Sequence, residues 1–307
     1  MSRDRMIRDL IGKVAVVTGG NAGLGYFAAE QLARRGARIV IATRNEAKAN
    51  AAIQSLRREV DDIVPSSFVQ LDLADLASVQ RAANELSTLP SIDVLVANAG
   101  ITEGTAGSVT AQGFESMFGT NHLGHFALVS RILPSLLTTL SSRIVHLGSI
   151  SHRFYALETD RPESPEKFCS FRSYARSKLA VMTFAFELDR RLRAAGHDTR
   201  SIVAHPGFAV DELTPARPGV TPTAVPNAVA QKIFGAFAQG KDAGAWPIVH
   251  AATDEYLRGG EYVGPAGWQQ LRGRARVTAA KAWARDPAVA ARLWELSESL
   301  TDTSIRL

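Results

Sequence analysis

Val14-Ala15-Val16-Val17-Thr18-Gly19-Gly20-Asn21-Ala22-Gly23-Leu24-Gly25-Tyr26 is the stretch on which the reading of this chain turns. The unbroken apolar run at its start predicts a strand covered on both faces. The glycines then permit a tight turn, and the residues from Gly23 onward read as the first turns of a helix. A strand, a glycine turn and a helix N-terminus make an anion site, because free backbone N–H groups and the helix dipole face one point. The expected ligand carries phosphate.

The same grammar extends outward. Strands are expected at residues 14–18, 38–42, 67–71 and 94–97, with helices at 23–35, 46–58 and 76–86 between them. Further on, residues 113–140 read as two helices interrupted near Gly124 and Pro134. Residues 143–147 and 201–204 read as strands, and 173–195 as a long helix closed by Gly196. This is the pattern of an α/β doubly wound parallel sheet, a Rossmann fold with helices on both faces. No linker or repeat divides residues 1–307, which read as one nucleotide-binding domain. Two proline-containing segments, 151–172 and 207–226, break the rhythm at strand ends, where open α/β sheets place ligands. Residues 207–226 are expected to cover the substrate, the alternative being a plain surface insertion.

A second element, Tyr174-Ala175-Arg176-Ser177-Lys178, sets a phenol and an ammonium one helical turn apart. A cation there favours the phenolate and is expected to lower the tyrosine pKa from its ordinary value near 10. One element holds a dinucleotide and the other moves a proton. Together they point to a nicotinamide-dependent oxidoreductase.

Composition narrows the alternatives. No apolar run reaches the roughly 18 residues of a transmembrane helix, and the charged N-terminus does not read as a secretory signal, so a cytoplasmic location is expected. Cys169 is the only cysteine, which excludes an intrachain disulfide, and no base accompanies it to make a nucleophile. The net charge of +5 comes from scattered rather than striped basic residues, which argues against nucleic acid and suits an anionic cofactor. His122, His125, His146, His152 and His205 show no metal-ligand grouping, so no metal is expected and they read as structural or surface residues.

Several motifs follow one another in a fixed order: Thr18-Gly19 with Gly23-Leu24-Gly25, Asp72-Leu73, Asn98-Ala99-Gly100, Asn121-His122-Leu123-Gly124, Ser149, Tyr174 with Lys178, and Pro206-Gly207. In this set and order the chain resembles the short-chain dehydrogenase/reductase family, from about Lys13 to Val263. The stretches 121–126 and 173–180, with the long interval from Ser149 to Tyr174, resemble the branch of retinol dehydrogenases, WW-domain oxidoreductases and protochlorophyllide reductases.

The resemblance implies roles. Tyr174 is the general acid for carbonyl reduction and the base for alcohol oxidation. Lys178 tunes the tyrosine and holds the nicotinamide ribose. Ser149 stabilises the reacting oxygen, with Ser151 its nearest competitor, and Asn121 supports a water-linked proton relay behind Lys178. Gly19, Asn21, Gly23, Leu24 and Gly25 would hold the pyrophosphate. Asp72 and Leu73 would meet the adenine, Asn98, Ala99 and Gly100 the adenosine ribose, and Pro206 and Gly207 the nicotinamide. Asp72 has a bland alternative, capping the helix that starts near Leu76. The family often places threonine four residues after Gly207 to contact the carboxamide, and here that residue is Asp211.

Cofactor choice turns on the end of the second strand. The family's NAD enzymes usually put an acid at position 43 to accept from the ribose 2′-hydroxyl, and here it is Thr43, followed by Arg44. With no carboxylate to repel a 2′-phosphate, Arg44 offers it a planar, always-charged fork, and Thr43 and Asn45 could add hydrogen bonds. NADP(H) is expected over NAD(H). The substrate is expected to be a lipophilic or aromatic carbonyl or alcohol, and a homodimer or homotetramer would follow family habit. The alternative is a non-catalytic NADP-binding redox sensor, which would need no proton donor.

Overall fold

The computed structural model describes residues 9–155, 157, 170–221, 235 and 237–307. The first half resolves into β1 (Val14–Thr18), α1 (Gly23–Arg34), β2 (Arg38–Thr43), α2 (Glu46–Glu59), β3 (Ser67–Gln70), α3 (Leu76–Leu86) and β4 (Val94–Ala97). A π-helical turn (Phe118–Leu123) leads into α4 (Gly124–Leu137), followed by β5 (Arg143–Leu147), α5 (Ser170–Ala194) and β6 (Arg200–Ala204). Beyond β6 come β7 (Ala209–Val210), β8 (Gln239–Gly240), α6 (Lys241–Gly244), α7 (Trp246–Thr253), β9 (Tyr262–Pro265), β10 (Ala275–Thr278) and α8 (Pro287–Thr301).

Eight of these strands form one sheet in the order β10-β9-β6-β5-β4-β1-β2-β3. Neighbours are parallel except β10, which runs antiparallel on the β9 edge. The unbroken apolar runs are explained by the two layers of helix. Ala15 and Val17 of β1 pack with Phe27 and Leu32 on one face, while Val14 and Val16 pack with Leu95, Phe126 and Phe184 on the other. Both faces of β1 are therefore buried, so polar alternation would leave unpaired groups in the core. Strand order reverses between β2 and β4 around β1, which opens a crevice at the carboxyl ends of β1 and β4.

Two expectations change. Pro134 does not interrupt its helix: it lies inside α4, where Ile132, Leu133 and Leu136 are buried in the core, so packing carries the turn through the hydrogen bond that proline cannot donate. The other interruption, near Gly124, exists as the π-helical turn, and it takes the place of a first helix in the 113–140 segment. Cys169, most of 156–169 and residues 222–226 of the expected cover lie outside the described residues.

Candidate active site

The glycine turn is built for close approach. Gly19 and Gly23 have φ of +65° and +54°, a region that side chains with Cβ rarely adopt. A Cβ on Gly25 would lie 2.4 Å from Asn98 Nδ2 and 2.5 Å from the Gly19 carbonyl oxygen, so only glycine fits. Ala22, the residue before α1, gives no side-chain cap, and the first turn holds no acidic residue. The N–H groups at this helix start are thus left for a ligand, and the dipole there favours an anion.

Thr18 ties this turn to the next. Its Oγ1 accepts from the N–H groups of Asn98 and Ala99 at 2.9 and 3.0 Å, while Asn98 Nδ2 donates to the Thr18 carbonyl at 2.9 Å. Behind it stands His125. Its Nδ1 faces the Asn121 carbonyl at 2.9 Å and therefore carries the proton, which leaves Nε2 to accept from Thr18 Oγ1 at 2.9 Å. Burial pulls the His125 pKa down to about 4, so the ring is neutral. All five histidines singled out in the sequence are buried, none is a surface residue, and among the described residues no group could hold a metal ion.

One cleft of about 970 Å³ collects every residue expected to bind cofactor, together with Ser149, Tyr174 and Lys178. Ser149 lies just past β5 and opens a short 3₁₀ turn, where its Oγ accepts from the Ser151 N–H at 3.2 Å. Its hydroxyl lowers the pKa of the neighbouring Tyr174 phenol, which lines the same cleft. Ser151 lines the cleft too, but its Oγ is buried with no hydrogen-bond partner among the described residues.

Lys178 is 5% exposed and donates to the Leu147 carbonyl at 3.0 Å, with its Nζ 5.9 Å from the centre of the Tyr174 ring. Burial alone pulls its pKa down to about 8. The expected lowering of the Tyr174 pKa is not found. Burial raises it, the Ser149 hydroxyl offsets only part of the rise, and the Lys178 ammonium, which donates to the Leu147 carbonyl, adds no lowering. Tyr174 stays a phenol, the form that gives a proton.

Asn121 sits behind the cleft wall. Its Oδ1 accepts from the Ile101 N–H at 2.8 Å, and its Nδ2 donates to the Ile101 carbonyl at 3.0 Å and to Ser177 Oγ at 2.9 Å. The side chain holds the π-helical turn to the chain after β4 and to α5, and its backbone carbonyl accepts from His125 Nδ1.

At the adenosine end, Thr43 is buried at the close of β2 and Arg44 is exposed in the cleft. Asn45 Oδ1 accepts from the Lys48 N–H at 2.9 Å and caps α2, so that oxygen is committed to the helix. The cap of α3 is Asp75, not Asp72; Asp72 Oδ1 accepts from the Ala74 N–H at 2.9 Å and closes a local turn at the cleft wall.

Sequence reasoning missed the cleft mouth. Phe154, Phe171 and Phe208 line it, Phe154 facing Phe171 at 6.0 Å and Phe208 stacking on Phe237 at 6.1 Å. These residues share no spacing; only the fold gathers them. Ser177 and His125 were within reach of the pattern, standing one helical turn from Tyr174 and Asn121 respectively.

Comparison with known proteins agrees with this geometry. A family model described as short chain dehydrogenase matches residues 13–217. The chain is 33% identical over 279 residues to retinol dehydrogenase 12 of Mus musculus, covering 89% of this chain and 84% of that one. It is 34% identical over 296 residues to polyprenol dehydrogenase of Mus musculus, covering 94% and 84%. An uncharacterized protein from Mycobacterium paratuberculosis of known crystal structure superposes with a TM-score of 0.78 at 34% identity, covering 98% of this chain and 99% of that chain. The chain belongs to the short-chain dehydrogenase/reductase family of oxidoreductases, in the branch of the retinol dehydrogenases.

Proposed function

We propose that this protein is an NADP(H)-dependent oxidoreductase acting on a carbonyl or alcohol of a lipophilic or aromatic small molecule. The observation that carries the reading is the Ser149–Tyr174 hydroxyl pair facing a mouth lined by phenylalanines. A redox sensor has no use for that pair.

The residues present fit a nicotinamide dinucleotide: the cradle at Gly19 and Gly25 leaves no room for a Cβ, and the uncapped start of α1 suits a diphosphate. When bound, the cofactor supplies the hydride chemistry. In carbonyl reduction, Ser149 donates a hydrogen bond to the substrate oxygen and Tyr174 gives that oxygen its phenolic proton. Lys178 would orient the ribose hydroxyls, and the Ser149 hydroxyl favours the phenolate that remains. Asn121 holds the wall on which Lys178 and Ser177 are placed, a positioning role for its side chain. Phe154, Phe171 and Phe208 present exposed apolar surface at the cleft and favour apolar substituents. The alcohols named in the relatives, retinol and polyprenol, are of this apolar class. Residues 207–221, which carry Phe208, form the described part of the cover.

NADP(H) preference rests on Thr43 in place of an acid and on Arg44 in the cleft. The test is cofactor affinity at fixed ionic strength, joined to a panel of apolar aldehydes and ketones followed by NADPH absorbance. Arg44→Ala should weaken NADPH by about 1.5–3 kcal/mol and leave NADH little changed. A wild type that prefers NADH, or equal weakening of both, overturns the preference. Small polar carbonyls turned over faster than apolar ones overturn the substrate class.

A further inference from the structure

Asp211 puts a carboxylate in a cleft that must hold an anion, and it is not alone there. Lys241 Nζ meets Asp211 Oδ1 at 2.6 Å. Both line the cleft, and Lys241 belongs to none of the family motifs. The fold places the pair deliberately. The parallel β7–β8 pairing sets Val210 opposite Gly240, so the residues that follow, Asp211 and Lys241, start side by side. The Lys241 N–H donates to Thr214 Oγ1 at 2.9 Å, and Gln31 of α1 donates to the Asp242 carbonyl at 2.7 Å. A Cβ on Gly244 would lie 2.9 Å from Leu24 Cδ2, so α6 rests on the first turn of α1.

From that anchor the lysine crosses the glycine turn. A Cβ built on Gly23 would stand 3.6 Å from Lys241 Nζ. The ammonium is therefore held over the uncapped N-terminus of α1, where the helix dipole is also positive. Two positive ends at one point need an anion between them. The Asp211 side chain, 52% exposed, supplies a weak and hydrated one, and a diphosphate would supply a stronger one.

We propose that Lys241 is a diphosphate-binding residue of the glycine turn, and that Asp211 is its exchangeable counter-ion. On binding, the ammonium leaves the carboxylate for the diphosphate, and Asp211, already half in water, is hydrated at little cost. This rests on the dinucleotide reading of the cleft and adds a residue to it.

The experiment is calorimetric binding of ADP to the full-length protein at low and fixed ionic strength, with melting curves as the fold control. Lys241→Met should weaken ADP about tenfold, the scale of one charge-assisted contact, while Lys241→Arg keeps it within about threefold of wild type. Asp211→Asn should tighten ADP several-fold in the wild-type background and clearly less beside Lys241→Met, where only repulsion of the diphosphate is relieved. Unchanged ADP affinity in Lys241→Met, or an Asp211→Asn effect equal in both backgrounds, overturns the proposal. Equal losses in Lys241→Met and Lys241→Arg assign the effect to packing and overturn it as well. A wild type that binds neither ADP nor NADPH instead overturns the dinucleotide reading on which it stands.

Discussion

The two ends of the cleft are held by different kinds of interaction. The glycine-turn end rests on backbone register and short polar ties: β1 lies between β2 and β4, and Thr18 draws the turn after β4 onto its own. The end beyond β6 is pinned by charged side chains remote in sequence. Arg217 donates to Glu30 through Nε at 2.7 Å and Nη2 at 3.0 Å, and its guanidinium lies 5.4 Å from the centre of the Phe27 ring. Lys241 meets Asp211, and Gln31 holds the Asp242 carbonyl. The first end is tied by strand pairing and neutral hydrogen bonds, whereas the second is docked onto α1 largely by ion pairs, which salt and pH can open.

Breaking the chemistry shared by the two ends should give the largest effect. Tyr174→Phe removes the proton but keeps the ring, so turnover should fall about 10²-fold or more while NADPH affinity and melting temperature stay near wild type. Turnover within a few-fold of wild type would remove Tyr174 from the chemistry.

The docking of the second end hangs on Glu30, which is 4% exposed and also accepts from Arg34 Nη2 at 2.9 Å. Burial pushes its carboxyl up, but the hydrogen bonds from Arg217 and Arg34 outweigh this and hold it below the ordinary carboxylate range. Its contribution is therefore present above the unfolded value near 4.5 and lost as pH falls below it. Glu30→Gln should cost about 1–3 kcal/mol, discounted because both arginines still reach water. Hydrogen exchange at residues 214–221 should quicken while the turn at 18–25 is unaffected. Equal quickening at both places would mean that the two ends are one cooperative unit and would dissolve the contrast.

This contrast also explains what the sequence could tell. Continuous apolar runs, helical periods and glycines needing positive φ are local signals, and they located β1 to β6 and the glycine turn to within a residue or two. The ordered motifs brought Ser149, Tyr174 and Lys178 to one cleft. Arg217–Glu30 and Lys241–Asp211 have no period, and Phe154, Phe171 and Phe208 meet only through the fold. The electrostatics of Tyr174 were illegible for the same reason. Four residues of spacing show that an ammonium is near, but the Leu147 carbonyl that engages it and the burial that raises the phenol belong to β5 and the packed site.

Lys178 lies where the two ends meet, and there function and stability pull apart. Its ammonium is buried with one carbonyl for company, and burial brings its pKa from 10.5 to about 8. Near pH 7 the lysine is charged both folded and unfolded, so the fold carries the full cost of a poorly solvated cation. Lys178→Met keeps the stem and deletes the charge, and at pH 7 it should stabilise the protein by about 1–2 kcal/mol while abolishing turnover. The sign of the pH dependence follows from proton counts. Between about pH 8 and 10.5 the unfolded lysine holds a proton that the folded one has released, so wild-type stability gains on the variant as pH rises. Denaturant melts of both proteins at pH 7 and 9.5 read this directly, because every other titrating group cancels in the difference. A Met variant less stable than wild type at pH 7, or a gap that widens toward pH 9.5, would mean that the ammonium supports the fold as well as the chemistry, and that this site carries no trade between them.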